Sequence, residues 1–374
     1  MARPKLEYRP IRREDMDSFE ELLQYREMPQ EPRVRRVLVE YMAFENPMAK
    51  PENPRYWVAV DESQRVMGYF GITPTTYIVQ GKLVEMAVPH DLFVHPELRA
   101  SGLAFFICAK MYKLVEAETS HVFPIIWSSP ENRELQSARK HYKDTGGARR
   151  MARVIRAKSQ LHRVREKVPF LAEGALGEAF AFAADSAMVL FDRGARAVLG
   201  RGMRVDKIDR FDARFDALAD RVIPSAAIQP YKPAKLLNWK YIDRPYNQKT
   251  CYAIEKGGDL RGWVVVGRSD RGEQSVGAIV DFLAMPDDEE AIATIAGAAV
   301  QHFHSSDVAL VESIVSDPRY ARVFKRFLFA ETSEPEYFII GGIGKKDGPP
   351  ESFVLDANNW HLSSGDTDGF LFSW

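Results

Sequence analysis

Three ionisable side chains interrupt an otherwise apolar stretch between Leu83 and Val94: Glu85, His90 and Asp91. The stretch is rich in Val, Leu, Met and Phe, which predicts a buried β-strand. A carboxylate in such a strand is costly unless it has a partner or takes part in chemistry. Period-two alternation puts Glu85 and Asp91 on one face unless a bulge intervenes. Each of the three is therefore a candidate for proton transfer, although Glu85 also fits an exposed strand end.

A basic turn that contains glycine follows this strand, and a helix follows the turn. The turn reads Arg99-Ala100-Ser101-Gly102-Leu103-Ala104. Apolar residues then recur at helical spacing: Phe105, Phe106, Ala109, Met111, Tyr112 and Val115. The first amides of a helix have no intrahelical partner, and the helix dipole adds positive potential there. The pattern therefore predicts an anion-binding site.

The turn matches neither a P-loop nor a dinucleotide-binding fingerprint, because the glycine spacing of both is missing. It resembles the acyl-CoA-binding motif of the GNAT N-acetyltransferase superfamily, Arg/Gln-x-x-Gly-x-Gly/Ala, with Arg99, Gly102 and Ala104 at the defined positions. Small residues let a pyrophosphate approach the backbone amides, and an exposed Arg adds charge. The resemblance implies that acetyl-CoA or another acyl-CoA is the co-substrate, without a metal.

The resemblance also implies roles for the end of the strand. In this superfamily the acyl carbonyl meets a backbone N–H at a bulge, which here would lie near Leu92, Phe93 and Val94. A carboxylate on the same strand often deprotonates the amine. Glu85 is the leading candidate for that base, and Asp91 is its rival closer to the acyl group, as is His90.

A further strand and helix complete the predicted site. We predict a strand over Val122–Trp127, lying parallel to the first, and a helix from Asn132 to Thr145. By resemblance, Asn132 contacts CoA and Tyr142 protonates the departing thiolate, although Tyr142 also fits a core aromatic of an amphipathic helix. The predicted cofactor-binding residues are Leu92, Phe93, Val94, Arg99, Ala100, Ser101, Gly102, Leu103, Ala104 and Asn132.

The second half of the chain repeats the order of strands and helices found in the first half. We therefore predict an α/β protein with mixed sheets and two tandem GNAT-like domains, at 1–165 and 203–374, joined by a helical connector at 166–202. At the position of the glycine turn the second copy reads Met285-Pro286-Asp287-Asp288-Glu289-Glu290. Carboxylates at a helix N-terminus cap the helix but repel a pyrophosphate. The second copy should not bind CoA.

Two stretches in the second half carry a finer resemblance. Leu236–Pro245, which reads LLNWKYIDRP, and Trp360–Asp368, which reads WHLSSGDTD, resemble signatures of tandem GNAT-like proteins, many of them linked to exopolysaccharide or cell-surface glycan loci. Two interpretations stay open. The aromatic and acidic residues either pack in the core and in turns, or they contact the acceptor.

Composition narrows the setting. The net charge of -1 gives no overall basic footprint for nucleic acid, and two cysteines, Cys108 and Cys251, cannot form a disulfide scaffold or a cysteine zinc site. The apolar region from Phe170 to Leu199 is interrupted by acidic residues and predicts an amphipathic helix, not a membrane span. We expect a cytoplasmic protein, monomeric or homodimeric, that does not bind membranes or nucleic acid.

The leading hypothesis is an acyl-CoA-dependent N-acyltransferase, most simply an N-acetyltransferase. Its acceptor would be the amine of a small molecule, such as an amino sugar or an amino-acid derivative. Two alternatives stay open. One is a FemAB-like aminoacyl transferase, which has the same tandem fold but takes aminoacyl-tRNA; the other is a non-catalytic GNAT-fold binding module.

Overall fold

A computed structural model describes most of the chain. The residues that it describes are 5–27, 30–49, 56–118, 123–126, 134, 142–160, 174–271, 274–333, 335–342 and 348–366.

The first half is built on an antiparallel sheet with the order β1-β2-β3-β4. A short strand from the second half, β9, pairs with the far end of β3. The strands are β1 (Glu7–Pro10), β2 (Tyr56–Val60), β3 (Val66–Val79), β4 (Lys82–Val94) and β9 (Ile228–Pro230). The helices are α1 (Met16–Leu23), α2 (Pro32–Phe44), α3 (Pro96–Ala100) and α4 (Ala104–Glu118). The apolar strand of the sequence is thus β4, the strand at the end of this order.

The strand β5 (Phe123–Ile126) lies near β4 but belongs to a different sheet. This second sheet has three strands in the order β5-β15-β6, where β6 is Tyr142–Asp144 and β15 is Phe338–Gly341. The predicted parallel pairing of the two strands is wrong, since no ladder joins β4 to β5 among the described residues.

The second half is built on a seven-stranded sheet with the order β14-β7-β13-β12-β11-β10-β8. Its strands are β7 (Arg150–Val154), β8 (Arg204–Ile208), β10 (Thr250–Lys256), β11 (Asp259–Arg271), β12 (Gln274–Ala284), β13 (Leu310–Ile314) and β14 (Ala330–Glu331). The remaining helices are α5 (Gly174–Leu199), α6 (Ala213–Val222), α7 (Ala234–Tyr241), α8 (Glu289–His304), α9 (Pro318–Lys325) and α10 (Glu351–Leu355).

The two halves exchange strands. In the seven-stranded sheet, β7 of the first half lies between β13 and β14 of the second, with Leu310 opposite Val154 and Ala330 opposite Ala152. In the three-stranded sheet, β15 of the second half lies between β5 and β6 of the first, with Phe338 opposite Ile126. Each half therefore supplies a central strand to the other. The division at 165 and 203 stays a prediction, and these ladders cross it.

The main hydrophobic core also draws on both halves. On α1, Met16, Phe19, Leu22 and Leu23 recur at helical spacing, and all four are buried. They pack in one cluster with residues of the second half, including Trp263 of β11. Within the described ranges, no helix has the length and apolar character needed to cross a membrane.

Candidate active site

A bulge bends β4 where its apolar part ends. Phe93 lies opposite Tyr69, and His90 lies opposite Gly71, so Asp91 and Leu92 together face a single residue of β3. Asp91 has φ +56°, in the left-handed region that Asp tolerates better than most residues. A bulge leaves its extra residue out of the ladder. The bulge therefore lies at Leu92, where the resemblance expected one, and an oxyanion-binding role for the amide there stays a prediction.

Asp91 fixes this bulge through a buried charge cluster. Its Oδ1 accepts hydrogen bonds from the guanidinium groups of Arg26 and Arg35, and the Tyr56 hydroxyl lies 3.4 Å from Oδ2. Burial would raise the pKa of Asp91, but Arg35 and Arg26 outweigh it, so its pKa lies below the usual value. A carboxylate held in this way is a poor proton acceptor. Its geometry is that of a positioning residue.

Glu85 lies far from the bulge. It is exposed on β4 opposite Thr76. It lies six positions before Asp91 in the chain, which is about 20 Å along an extended strand. The structure therefore does not bring the two predicted carboxylates together. Glu85 therefore fits the second alternative that the sequence left open, an exposed position near the end of a strand.

His90 occupies the position between the bulge and a pocket. Its side chain is buried, with Nε2 3.0 Å from the Thr73 hydroxyl and Nδ1 3.5 Å from the Tyr56 hydroxyl. Burial lowers the pKa of His90 to about 4, and the nearby arginines act in the same direction. The imidazole is therefore neutral at physiological pH. Gly71 permits this packing, because a Cβ there would lie 2.3 Å from His90 Cε1.

The predicted six-residue turn is shorter in the structure than in the sequence prediction. Arg99 and Ala100 end the short helix α3, and the turn proper consists of Ser101, Gly102 and Leu103 before α4 starts at Ala104. Gly102 has φ +72°, and a Cβ there would meet nothing within 4 Å. Glycine is thus favoured at this position by its backbone conformation and not by crowding. Helix α4 begins two residues after Gly102, at Ala104.

Two cations and an aromatic ring lie beside this turn. The Arg99 guanidinium carbon is 5.0 Å from the centre of the Phe93 ring, and that of Arg26 is 5.6 Å from the same ring. Arg99, Ser101 and Gly102 are exposed. Leu92 and Val94 pack in the hydrophobic cluster on the α4 side of the sheet, together with Leu103 and Ala104. The arrangement offers exposed positive charge at a helix N-terminus, which suits a phosphate group.

The prediction that Tyr142 lies on a helix is wrong. Residues Tyr142–Asp144 form β6, and Tyr142 pairs with Gly341 of β15. The side chain is buried, and its ring packs edge-on against Tyr112 at 5.8 Å. The spacing of apolar residues before Tyr142 imitates a helical pattern, whereas the strand ladder with β15 decides the conformation. The acid role assigned to Tyr142 rested on a helical position and loses that support. Asn132 lies outside the described residues.

In the second copy, ion pairs occupy the position of the glycine turn. The Asp288 side chain caps α8 by accepting from the Ala291 amide at 3.1 Å, and Arg261 lies 2.6 Å from it. Glu289 forms ion pairs with Arg322 of α9 and with Arg326, the residue that follows α9. The capping carboxylate and the ion-paired carboxylate occupy this helix N-terminus. The second copy therefore lacks the glycine turn that the first copy has.

The second copy nevertheless keeps the bulge. Val265 of β11 lies opposite Asp281 of β12, while Val266 lies opposite Ile279, so Val280 is the extra residue. Asp281 is fully buried, 2.5 Å from Lys232 Nζ and 2.6 Å from the Tyr241 hydroxyl. A buried aspartate beside a bulge, with cationic and tyrosyl partners, thus occurs in both copies.

The two stretches that the sequence singled out meet at this aspartate. Lys232 Nζ also lies 2.9 Å from Asp366, and Ser363 donates to Asp281 at 2.7 Å. Lys240 Nζ donates to the Gly365 carbonyl at 2.7 Å. The α7 stretch and the C-terminal stretch are therefore parts of one buried polar network, which packs against β3 and β4 of the first half. The structure contains no cluster of metal-ligating side chains within the described ranges.

Sequence reasoning missed Arg26, Arg35, Lys232 and Asp281. Only Asp281 carried a signal, because Asp281-Phe282-Leu283-Ala284 repeats the pattern of Asp91-Leu92-Phe93-Val94 at the corresponding strand. The cations come from other elements, 49 to 65 residues away in sequence. Their pairing with the aspartates depends on the tertiary fold.

Similarity to known proteins is seen in structure and not in sequence. No protein-family model matches the chain, and no curated protein matches its sequence. A GCN5-related N-acetyltransferase from Anabaena variabilis superposes with a TM-score of 0.56 at 12% identity, covering 90% of this chain and 72% of its own. A GCN5-related N-acetyltransferase from Kribbella flavida gives a TM-score of 0.56 at 13% identity, with coverages of 90% and 71%.

A third similar structure is Saccharomyces cerevisiae N-myristoyltransferase with bound myristoyl-CoA. Its TM-score is 0.54 at 12% identity, and the superposition covers 90% of this chain and 79% of that one. The fold is therefore that of the GNAT and N-myristoyltransferase proteins. This fold is consistent with the two tandem copies that the sequence predicts.

Proposed function

We propose that the protein is an acyl-CoA-dependent N-acyltransferase, which transfers an acetyl or longer acyl group to the amine of a small molecule. The observation that carries this proposal is the conjunction in β4 and α4. A bulge locked by Asp91 stands a few residues before an exposed arginine and a left-handed glycine at a helix N-terminus. The GNAT fold supports it, as does the myristoyl-CoA bound by one similar structure.

The reaction needs few groups. The amine nitrogen attacks the thioester carbonyl, a C–N bond forms, and the C–S bond breaks as the thiolate leaves with its electron pair. The backbone near Leu92 stabilises the oxyanion, and Arg99 with the Gly102 turn holds the pyrophosphate. The amine loses one proton, the thiolate gains one, and the products are an amide and free CoA.

Of the three residues considered as the base, His90 is the best placed. It is neutral, lies directly before the bulge and lines the adjoining pocket. Asp91 is held by two arginines, and Glu85 is about 20 Å away along the strand. A base with a pKa of about 4 accepts a proton only weakly. We therefore propose that the acceptor binds as the neutral amine and that His90 takes the proton as the C–N bond forms.

The nature of the acceptor is a finer proposal. The stretches at Leu236–Pro245 and Trp360–Asp368 resemble those of tandem GNAT-like proteins linked to glycan loci. Both border the pocket beside His90. This supports an amino sugar or a related amine as the acceptor.

Calorimetry with acetyl-CoA tests the donor site. Arg99→Glu and Gly102→Glu should each weaken binding at least tenfold, because each puts a carboxylate against the pyrophosphate. Gly258→Glu is the matched control, since Gly258 also has a positive φ (+92°) with nothing within 4 Å of its Cβ position. Lys82→Glu, at the far end of β4, controls for the charge change. Equal affinity in all four variants would overturn the proposal, and displacement of acetyl-CoA by aminoacyl-tRNA would favour the aminoacyl transferase instead.

A further inference from the structure

Helix α5 is apolar on its inner and on its outer side. On the inner side, Ala195 and Leu199 pack against the hydrophobic cluster around α8. On the outer side the helix exposes large apolar side chains, of which Phe182 is 76% exposed, Leu190 68% and Val198 73%. A helix that is apolar all round is normally buried, in a core or in a membrane. The outer side of α5 is therefore a candidate interaction surface.

The exposed apolar residues form one stripe along this helix. At about 100° per residue, a sector of about 100° contains six apolar residues, all of them exposed: Phe180, Ala183, Ala187, Leu190, Phe191 and Val198. The large exposed side chains of α5 offer about 500 Å² of apolar surface, if a fully exposed aromatic side chain counts as about 200 Å². A standard interface buries about 800 Å² per partner, of which somewhat more than half is apolar. The outer side of α5 thus has the apolar area that a dimer needs.

A groove lies beside this stripe, between the C-terminal halves of α5 and α8. Its volume is about 700 Å³, and a cavity of about 150 Å³ already binds benzene. Val189 and Ala197 of α5 and Gly297 of α8 line it. Arg193 and Arg196 line it as well, and neither has an ion-pair partner among the described residues. Since a guanidinium group stacks favourably on an aromatic ring, the groove suits an aromatic side chain.

Phe182 and the groove are placed symmetrically on the helix. Phe182 lies seven positions before Val189, and Arg196 lies seven positions after it. Residues seven positions apart project from nearly the same side of an α-helix, so all three lie on one flank. If a second copy packs antiparallel, with a two-fold axis level with Val189, Phe182 of each copy lies opposite Arg196 of the other. The same axis brings Phe180 opposite Val198. A two-fold interface requires such self-complementarity.

The exposed charges of α5 favour a second copy over a membrane surface. Glu178 lies near the start of the helix with a side chain that is 72% exposed, and its ion pair with Lys158, at 3.5 Å, is open to solvent. The arginines lie at the opposite end, with Arg201 in the turn that follows the helix. Antiparallel packing brings Glu178 of one copy to the arginines of the other. An anionic membrane would attract the arginines but repel Glu178.

We propose that α5 is the interface of a homodimer. In it, two copies pack antiparallel about a two-fold axis level with Val189, and Phe182 of each copy inserts into the groove between α5 and α8 of the other. No residue assigned to the acyl-CoA site lies on α5, so the interface does not depend on the proposed acyl transfer.

The oligomeric state of the full-length protein is the first test. Sedimentation velocity and light scattering, over a dilution series that starts at high micromolar concentration, should find twice the mass of one chain. Dilution should convert this species to the single chain, which gives the dissociation constant of the dimer. A single chain at every concentration would overturn the proposal.

Variants connect the dimer to α5. Phe182→Arg and Leu190→Arg should each raise the dissociation constant of the dimer at least 100-fold, because each buries an unpaired guanidinium group in an apolar interface. Their melting temperatures at dilutions where wild type is a single chain should equal that of wild type, since both side chains are exposed within one chain. Leu83→Arg is the matched control, at a leucine of β4 that is 51% exposed, and should leave the dimer unchanged.

A charge exchange tests the interface with milder substitutions. Glu178→Arg and Arg201→Glu should each weaken the dimer about threefold to tenfold, because each removes an exposed ion pair and adds a repulsion. The double variant should return to within about twofold of wild type, since it restores opposite charges across the interface. A double variant weaker than both single variants would contradict this pairing.

Cross-linking with a short bismaleimide tests the orientation. A mixture of Phe180→Cys and Val198→Cys should cross-link between copies. Val198→Cys alone should not, because two antiparallel copies place these positions about 27 Å apart along the helices. Wild type, with Cys108 and Cys251, measures the background. Parallel packing would reverse the pattern and overturn the proposed arrangement.

The remaining outcomes separate this inference from its competitors. A dimer that Phe182→Arg and Leu190→Arg leave intact would overturn the assignment to α5. Binding of the single chain to phosphatidylserine vesicles, lost in the same two variants, would assign α5 to a membrane surface instead. Loss of acetyl-CoA binding would overturn the proposed function and leave the dimer untouched.

Discussion

Replacing Asp91 by Asn separates the charge of this residue from its backbone conformation. Asn is nearly isosteric and tolerates the left-handed conformation that Asp91 adopts at φ +56°. The variant therefore keeps the backbone conformation of the bulge but leaves Arg26 and Arg35 without their shared carboxylate. The Asp91 side chain is 0% exposed, and that of Arg35 is 3% exposed.

The expected cost follows from this burial. Removing one partner of a buried ion pair costs about 3–5 kcal/mol, because a charge stays buried without compensation. Arg26 is 26% exposed, so water compensates part of its charge. We expect the low end, about 3 kcal/mol in the free energy of unfolding. Since single domains are stable by only about 5–15 kcal/mol, urea denaturation should resolve the change easily.

The pH dependence has a definite sign. The folded pKa of Asp91 lies below its ordinary value, so its stabilising effect is fully present above the unfolded pKa of about 3.9 and is lost as the pH falls through the folded pKa. The difference in unfolding free energy between wild type and Asp91→Asn should be constant from pH 8 to about pH 5. It should shrink only at more acidic pH.

One control variant and one binding measurement define the result that would contradict this prediction. Asp17→Asn removes a carboxylate that also pairs with an arginine, Arg36 at 2.7 Å, but that is 87% exposed, and it should cost less than about 1 kcal/mol. The positioning role of Asp91 predicts weaker acetyl-CoA binding as well as lower stability. Full stability and full acetyl-CoA affinity with lost turnover would instead make Asp91 the catalytic base.

Two further predictions concern proton transfer and the strand exchange. Glu85→Gln should keep its turnover, because Glu85 is exposed and distant from the bulge. His90→Gln should lower kcat about 100-fold in steady-state assays, while calorimetry should find its acetyl-CoA affinity unchanged. The reverse ranking of the two variants would restore Glu85 as the base. Residues 1–165 expressed alone should not show a cooperative unfolding transition, because β15 is then missing between β5 and β6. Co-expression with residues 166–374 should restore a cooperative transition. A stable isolated half would contradict this prediction.

Local patterns predicted the elements well where the partners of a segment are close in sequence. The run of aromatic and β-branched residues at Tyr56–Val60 predicts a strand, which the structure has with the same bounds, and the stretch from Leu83 to Val94 is β4 with one residue added. The sequence also predicts a helix from Val34 to Phe44, and in the structure this helix begins two residues earlier, at Pro32. Alternation and periodicity are local properties, so the sequence displays them directly.

The pairings that define the site could not be predicted in this way. Whether Glu85 or Asp91 faces the substrate depended on one bulge, and the bulge is a property of the ladder between β3 and β4. Tyr142 looked helical because its spacing from Leu135 and Ala138 is helical, but its strand partner is Gly341, 199 positions further along the chain. Propensity is a weak guide where distant contacts decide the conformation.

The two aspartates connect the second half of the chain to the pocket of the first half. Asp91 and Asp281 each stand at a bulge, with a buried cation and a tyrosine hydroxyl, yet only the first precedes the glycine turn that we propose binds phosphate. In the second copy the same cluster holds Lys232 against Asp366, and thereby fixes the C-terminal stretch beside the pocket that His90 lines. The second copy thus lacks the glycine turn but has a comparable charge cluster beside a bulged strand. It uses that cluster to build the wall of the pocket in the first copy, so a loss of the Asp281 cluster should impair the acceptor side of the reaction while the acetyl-CoA turn stays intact.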